Sequence, residues 1–126
     1  MTQEKELLIK DLCGRLPYGV KVKIYNHWRD DYEDETLTLE NYAKLINTFS
    51  VKDIKPYLFP LSSMTEEQRE ELVSKHLGYY QIFEGIRRFF FERGCEVYEW
   101  LNEHHFDYRG LIEKGLAIDA TELNIY

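Results

Sequence analysis

Cysteine is scarce in this chain, two residues in 126, and that scarcity removes the first class of small folds to consider. Cys13 and Cys95 lie far apart in sequence, each within an apolar helical pattern, so no disulfide framework or cysteine-rich zinc module can be built from them. Both read as inert core thiols, because a nucleophilic cysteine needs exposure and a neighbouring base. Long hydrophobic runs are lacking too. The longest aromatic run, Phe89-Phe90-Phe91, follows Arg87 and Arg88 and precedes Glu92, far short of the roughly 20 apolar residues of a membrane span. The opening Met-Thr-Gln-Glu-Lys-Glu has no apolar leader region, and with two separated thiols it points to a reducing cytoplasm. Gly-x-Ser-x-Gly, a phosphate loop and a dinucleotide glycine pattern are all absent from the sequence, so an enzyme here would need a site assembled from scattered residues.

Positive charge is also in short supply. The net charge is −7, with residues 1–63 near −1 and residues 64–126 near −6. Such a field repels a polyphosphate backbone unless a local basic patch overcomes it, which disfavours nucleic acid as a partner. Two basic-plus-aromatic patches are nonetheless present, Lys21 and Lys23 with Tyr25, and Arg87-Arg88 with Phe89 to Phe91. What the chain has in abundance is tyrosine, ten residues within a 15% aromatic content. That exceeds what a core of this size takes up, and surface tyrosine serves partner interfaces.

At this length the chain reads as one domain, 1–126, able to bury about two-thirds of the surface its unfolded form exposes. Residues 3–16 show helical spacing of Leu8, Ile9, Leu12, Cys13 and Leu16, with Glu4 and Glu6 at the positive end and Pro17 as the stop. Val20 to Ile24 alternates with period two and predicts a strand. The acidic run Asp30-Asp31-Tyr32-Glu33-Asp34-Glu35 predicts a long solvated loop, since it cannot be buried and lacks the alternating ligands and central glycine of a calcium loop. Thr36 to Leu39 alternates again and pairs with the first strand. Residues 42–50 fit either state, and a strand is favoured. Pro56 and Pro60 hold 55–61 extended, after which Thr65 and Gln68 form a capping box opening a helix through Leu72, Val73, His76 and Leu77 to Gly78. A hairpin is favoured over a helix for 79–91. The segment 91–105 is an amphipathic helix whose acidic arc includes Trp100, and 106–126 forms an irregular strap over the core.

Three stretches, Lys55–Gln68 (KPYLFPLSSMTEEQ), His105–Ile118 (HFDYRGLIEKGLAI) and Leu12–Val20 (LCGRLPYGV), resemble a family of uncharacterised small proteins of gut Bacteroides-type bacteria and their prophages. The resemblance covers roughly half of the residues and brings no activity with it. It implies an accessory protein of phage or mobile-element origin, with small sheet strands just before the Lys55-Pro56 segment.

The expected fold is α+β: a small antiparallel sheet, for which a partly closed barrel is one form, packed with about three helices. The leading function is a non-catalytic binding module for another protein or for a second copy, without cofactor or metal and without a membrane partner. Its candidate contact residues are Trp100, Tyr108 and Arg109, residue types favoured at interface hot spots. Trp100 places a large apolar indole among charges, while Tyr108 and Arg109 also fit a plain structural turn at Gly110 in which Arg109 pairs with Asp107 or Glu113. The alternatives are a nucleic-acid-associated protein using the Lys21/Lys23 face, and a metal-dependent hydrolase built on Glu103, His104, His105 and Asp107. In that cluster the two histidines are adjacent rather than spaced as zinc ligands, so His105 reads as a core residue at a helix end and His104 as a solvated one.

Overall fold

A computed structural model of the chain describes residues 3–48, 50, 52–72 and 98–126. The chain enters through helix α1, Gln3–Arg15, with Glu4 and Glu6 in its first turn and Arg15 in its last, each sign matched to the helix dipole. Its buried residues are Leu8, Asp11, Leu12 and Arg15, an i, i+3, i+4, i+7 stripe that carries an ion pair as well as leucines. Pro17 then sits in a 3-10 turn, Leu16–Tyr18, and Gly19 takes φ +66°. That left-handed step suits glycine and releases the chain into strand β1, Lys21–Asn26.

Strand β2, Asp31–Thr36, pairs antiparallel with β1 from Lys21 opposite Thr36 to Asn26 opposite Asp31. The acidic run is therefore a strand and not the solvated loop its composition suggested. An edge strand can carry charges because its side chains stay wet, and the turn chemistry closes the hairpin. Asn26 Oδ1 accepts hydrogen bonds from the backbone N–H groups of Trp28 and Arg29 at 3.0 and 3.3 Å, and Asp30 adopts φ +52°.

Residues 42–50 also depart from expectation, since α2 runs Leu39–Thr48. Its start is a reciprocal cap: Thr38 Oγ1 accepts from Asn41 N–H at 3.2 Å, and Asn41 Oδ1 accepts from Thr38 N–H at 2.8 Å. Leu45 is buried and Tyr42 and Ile46 pack beside it, one helical face.

Strand β3, Ile54–Pro60, lies antiparallel to β1, with Lys55 opposite Lys23. A 3-10 turn, Leu61–Ser63, leads to α3, Glu66–Leu72. The capping box is present there, Gln68 N–H bonding Thr65 Oγ1 at 3.1 Å and Thr65 N–H bonding Gln68 Oε1 at 2.9 Å. The expected continuation to Gly78, the 79–91 hairpin and residues 91–97 of the expected 91–105 helix lie outside the described residues. Residues 98–103 are helical. Strands β4, Phe106–Asp107, and β5, Ile118–Asp119, pair parallel with β3 at Phe59–Pro60 and Tyr57–Leu58.

The fold is α+β. Among the described residues the sheet has five strands ordered β2-β1-β3-β4, with β5 also on β3. It is mixed rather than antiparallel, and it stays open: β2 ends it at one edge, so it does not close into a barrel. Among the described residues two clusters form the core. The larger joins Leu8 and Leu12 of α1 to Val20, Val22, Ile24, Leu37, Leu45, Ile54 and Leu58, sealed by Leu111, Leu116 and Ala117 of the strap. The smaller holds Met64, Leu72, Trp100, Leu101 and Phe106. Tyr126 fastens the strap to the sheet: its hydroxyl accepts from Lys21 N–H and donates to Tyr57 O, each at 2.8 Å, and its ring stacks on His105 at 3.8 Å. Among the described residues no helix is long and apolar enough to cross a membrane.

Candidate functional site

Trp100, expected as an exposed contact, is 4% exposed and belongs to the smaller core cluster. Its indole stacks on His104 at 4.2 Å and on Phe106 at 5.8 Å. The correction has a local cause. His105 takes φ +62°, which turns the chain sharply after the helical residues and brings Phe106 into contact with Trp100. A large apolar ring gains more from such stacking than its charged sequence neighbours would suggest.

Tyr108 and Arg109 stand half-buried in a polar network that ties the strap to α1. Arg15 and Asp11, both fully buried, form a two-pronged pair at 2.8 and 3.1 Å. Arg109 Nη1 reaches the same carboxylate at 3.0 Å rather than the Asp107 or Glu113 that sequence proximity offered. Tyr108 Oη accepts from Arg109 Nη1 at 2.9 Å and donates to Asn102 Oδ1 at 3.0 Å. Arg15 Nη2 also donates to Phe106 O at 2.6 Å. The buried Asp11 carboxylate offsets the charges of the two guanidinium groups gathered around it. The arrangement fastens the strap to α1.

The 103–107 cluster is divided among other duties. Asp107 accepts from the N–H groups of Leu111 and Ile112 at 2.9 and 3.0 Å. His104 Nδ1 lies 3.1 Å from Trp100 O, so it is half-buried and engaged rather than solvated. His105 has its pKa lowered to about 4, by burial first and then by the nearby Arg15 and His104. Among the described residues no three His, Cys, Asp or Glu groups converge on a metal position. Cys13 is exposed, contrary to its reading as a core thiol, because the inward stripe of α1 runs through residues 8, 11, 12 and 15 and leaves position 13 about 100° away from Leu12. Its Sγ is 3.0 Å from Tyr42 Oη. Burial and that contact push the Tyr42 hydroxyl up to about 12. Cys95 lies outside the described residues.

Several exposed features gather on the β1–β2 hairpin, whose second strand has a sequence that suggested a solvated loop. Trp28 at its tip is 80% exposed and Tyr32 is 64% exposed. Along one face, between β2 and α2, runs a cleft of about 650 Å³ lined by Asn26, Trp28, Glu33, Glu35, Lys44 and Leu45 among others. Arg29 bridges Glu33 at 2.6 Å and Asp31 at 3.6 Å. On the opposite face a second cleft, about 410 Å³, is bordered by Lys23, Tyr25, His27, Tyr32, Lys52, Asp53 and Lys55. Lys21, grouped with Lys23 by sequence, is spent elsewhere, donating to Ile125 O at 2.8 Å. The alternating signal of β1 marks the Lys21/Lys23 face in the sequence. The pairing of Lys55 with Lys23 could not be read without the register.

Comparison of the chain with protein-family models, with curated proteins and with solved structures yields no match in any of the three.

Proposed function

We propose that the chain is a non-catalytic binding module that takes up an extended, basic segment of a partner protein along the edge of β2 that no other described strand pairs with. The observation that carries this reading is Trp28, 80% exposed at the end of an exposed edge strand. An unpaired strand edge offers a row of backbone donors and acceptors for strand addition. Acidic residues at Asp31, Glu33, Asp34 and Glu35 block pairing with a second acidic copy and favour a basic strand. Edge protection alone accounts for those charges but not for an indole left in water, whose burial by a partner is worth about 2–3 kcal/mol. Glu33 and Glu35 border the larger cleft, where alternate side chains of an added strand would enter. The resemblance of the Lys55–Gln68 and His105–Ile118 stretches to phage-borne proteins supports an accessory role as the setting.

Selection from a random peptide library tests the reading. Peptides retained by the wild type should be rich in lysine or arginine alternating with apolar residues, and should shift the amide resonances of 31–36. Glu33→Lys with Glu35→Lys, and separately Trp28→Ala, should weaken them about tenfold or more. Acidic selected peptides, or shifts confined to another surface, would overturn the assignment.

A further inference from the structure

The outer face of the sheet places like charges directly opposite each other. Lys23 of β1 and Lys55 of β3 are cross-strand partners, both half-buried, and Lys52 stands in the turn leading to β3 beside the same cleft. Like charges in that relation destabilise a sheet. Among the described residues no ion pair is made by any of the three. The nearby carboxylates of Asp53, Asp34 and Asp30 make their hydrogen bonds elsewhere. Asp53 is held by His27 Nε2 at 3.0 Å and Ser50 Oγ at 2.9 Å. Asp34, opposite Lys23 on the β2 side, accepts from Tyr57 Oη at 2.6 Å, and Asp30 accepts from Tyr25 Oη. In a chain of net charge −7, one cleft thus gathers three ammonium groups, none of them in a direct ion pair among the described residues.

Two aromatic rings share the cleft. Tyr25 and Tyr32 meet edge to face at 5.0 Å, and Lys23 Nζ lies 4.6 Å from the centroid of the Tyr32 ring. Tyr32 keeps 64% of its surface exposed, an open π-surface next to the lysines. Cations that attract phosphate, set within reach of a ring on which a base can stack, are the two elements of nucleotide recognition. The volume, about 410 Å³, falls in the range of small-molecule sites, about 300–1,000 Å³.

From this arrangement we infer that the cleft binds a nucleoside phosphate, its phosphates between Lys23, Lys52 and Lys55 and its base against Tyr32 and Tyr25. A free nucleotide fits better than a strand. A long polyanion meets the repulsion of the whole protein, whereas one or two phosphates feel mainly the three adjacent cations. The site shares Tyr32 with the β2 edge proposed for strand capture, whereas Lys52 and Lys55 belong to β3 and its approach.

Titration calorimetry with ADP, adenosine, pyrophosphate and an oligothymidylate separates the possibilities. ADP should bind, with adenosine and pyrophosphate each about tenfold weaker or more, because each retains only one of the two contacts. Lys52→Ala and Lys55→Met should each weaken ADP about fivefold or more. Without ligand, Lys55→Met should melt no lower than the wild type, since it relieves the repulsion of Lys23. The inference is overturned by the absence of ADP binding at millimolar concentration, by ADP affinity unchanged in the two variants, or by pyrophosphate binding as tightly as ADP. A tighter grip on the oligothymidylate than on ADP overturns the choice of a free nucleotide, and a lower melting temperature for ligand-free Lys55→Met makes that lysine part of the fold.

Discussion

Asp11 is the residue on which the joint between α1 and the strap turns. Its carboxylate, with no solvent exposure, takes both arms of Arg15 and a third contact from Arg109. Replacing it leaves Arg15 fully buried with Nη1 already unpartnered among the described residues. Asp11→Ala should therefore cost about 3–5 kcal/mol, the scale for stranding a buried charge, read as a lower denaturation midpoint in urea. Arg109→Ala, which removes a half-exposed partner, should cost clearly less. His105 adds a pH dependence. Its folded pKa is lowered to about 4 by burial and by Arg15, so the unfolded chain binds a proton more readily between about pH 6.5 and 4. The stability associated with neutral His105 is complete above about pH 6.5 and declines as pH falls towards 4. His105→Phe should flatten the stability profile across that window, while an unchanged slope would assign the acid sensitivity elsewhere. At this scale Tyr108 and Arg109 stood out in the sequence by residue type alone. Their partner Asp11 lies almost the whole chain away, a separation no local pattern bridges, and the offered Asp107 turned out to cap Leu111 and Ile112.

Elements announced by caps and periodicity were legible in the sequence, and those defined by pairing were not. Pro17, the β1 alternation and the Thr65–Gln68 box each act through residues a few positions apart, and each matches the structure. β2 has no apolar face to announce it. It exists because β1 supplies a partner and Asn26 with Asp30 supplies the turn, so its acidic composition pointed to a loop. α2 did carry a local signal, the reciprocal Thr38–Asn41 cap, with Asn where Glu or Gln is usual. Tyr42, Leu45 and Ile46 then follow the helical period, against the strand reading of 42–50. The two clefts depend on these same pairing relations, because one needs β2 beside α2 and the other needs Lys55 opposite Lys23. A candidate site on this molecule becomes visible only when strand register is known.

At the scale of the whole molecule, the segment after Phe106 closes a structure that the earlier elements leave open. Leu111 is fully buried, Leu116, Ala117 and Ala120 nearly so, and the first three join the cluster made by α1, β1, β2's successor Leu37, and β3. β5 extends the sheet through Ile118, and Ala120 N–H bonds Leu58 O at 2.8 Å. Tyr126 then joins Lys21 and Tyr57 across β1 and β3 while stacking on His105. Burying the two leucines alone contributes about 3–6 kcal/mol, at about 1.5–3 kcal/mol each, against a typical net stability of about 5–15 kcal/mol. Loss of Arg109 and Asp107 with the segment would also strip one cation from Asp11. Deleting residues 107–126 should therefore abolish cooperative unfolding, measured by calorimetry and by loss of dispersed amide resonances, whereas Tyr126→Ala should keep a cooperative transition at a lower temperature. If the truncated chain melted where the full chain does, the strap would be a surface attachment and the core would be complete without it. The graded pair of outcomes distinguishes a segment that builds the core from one that only latches it.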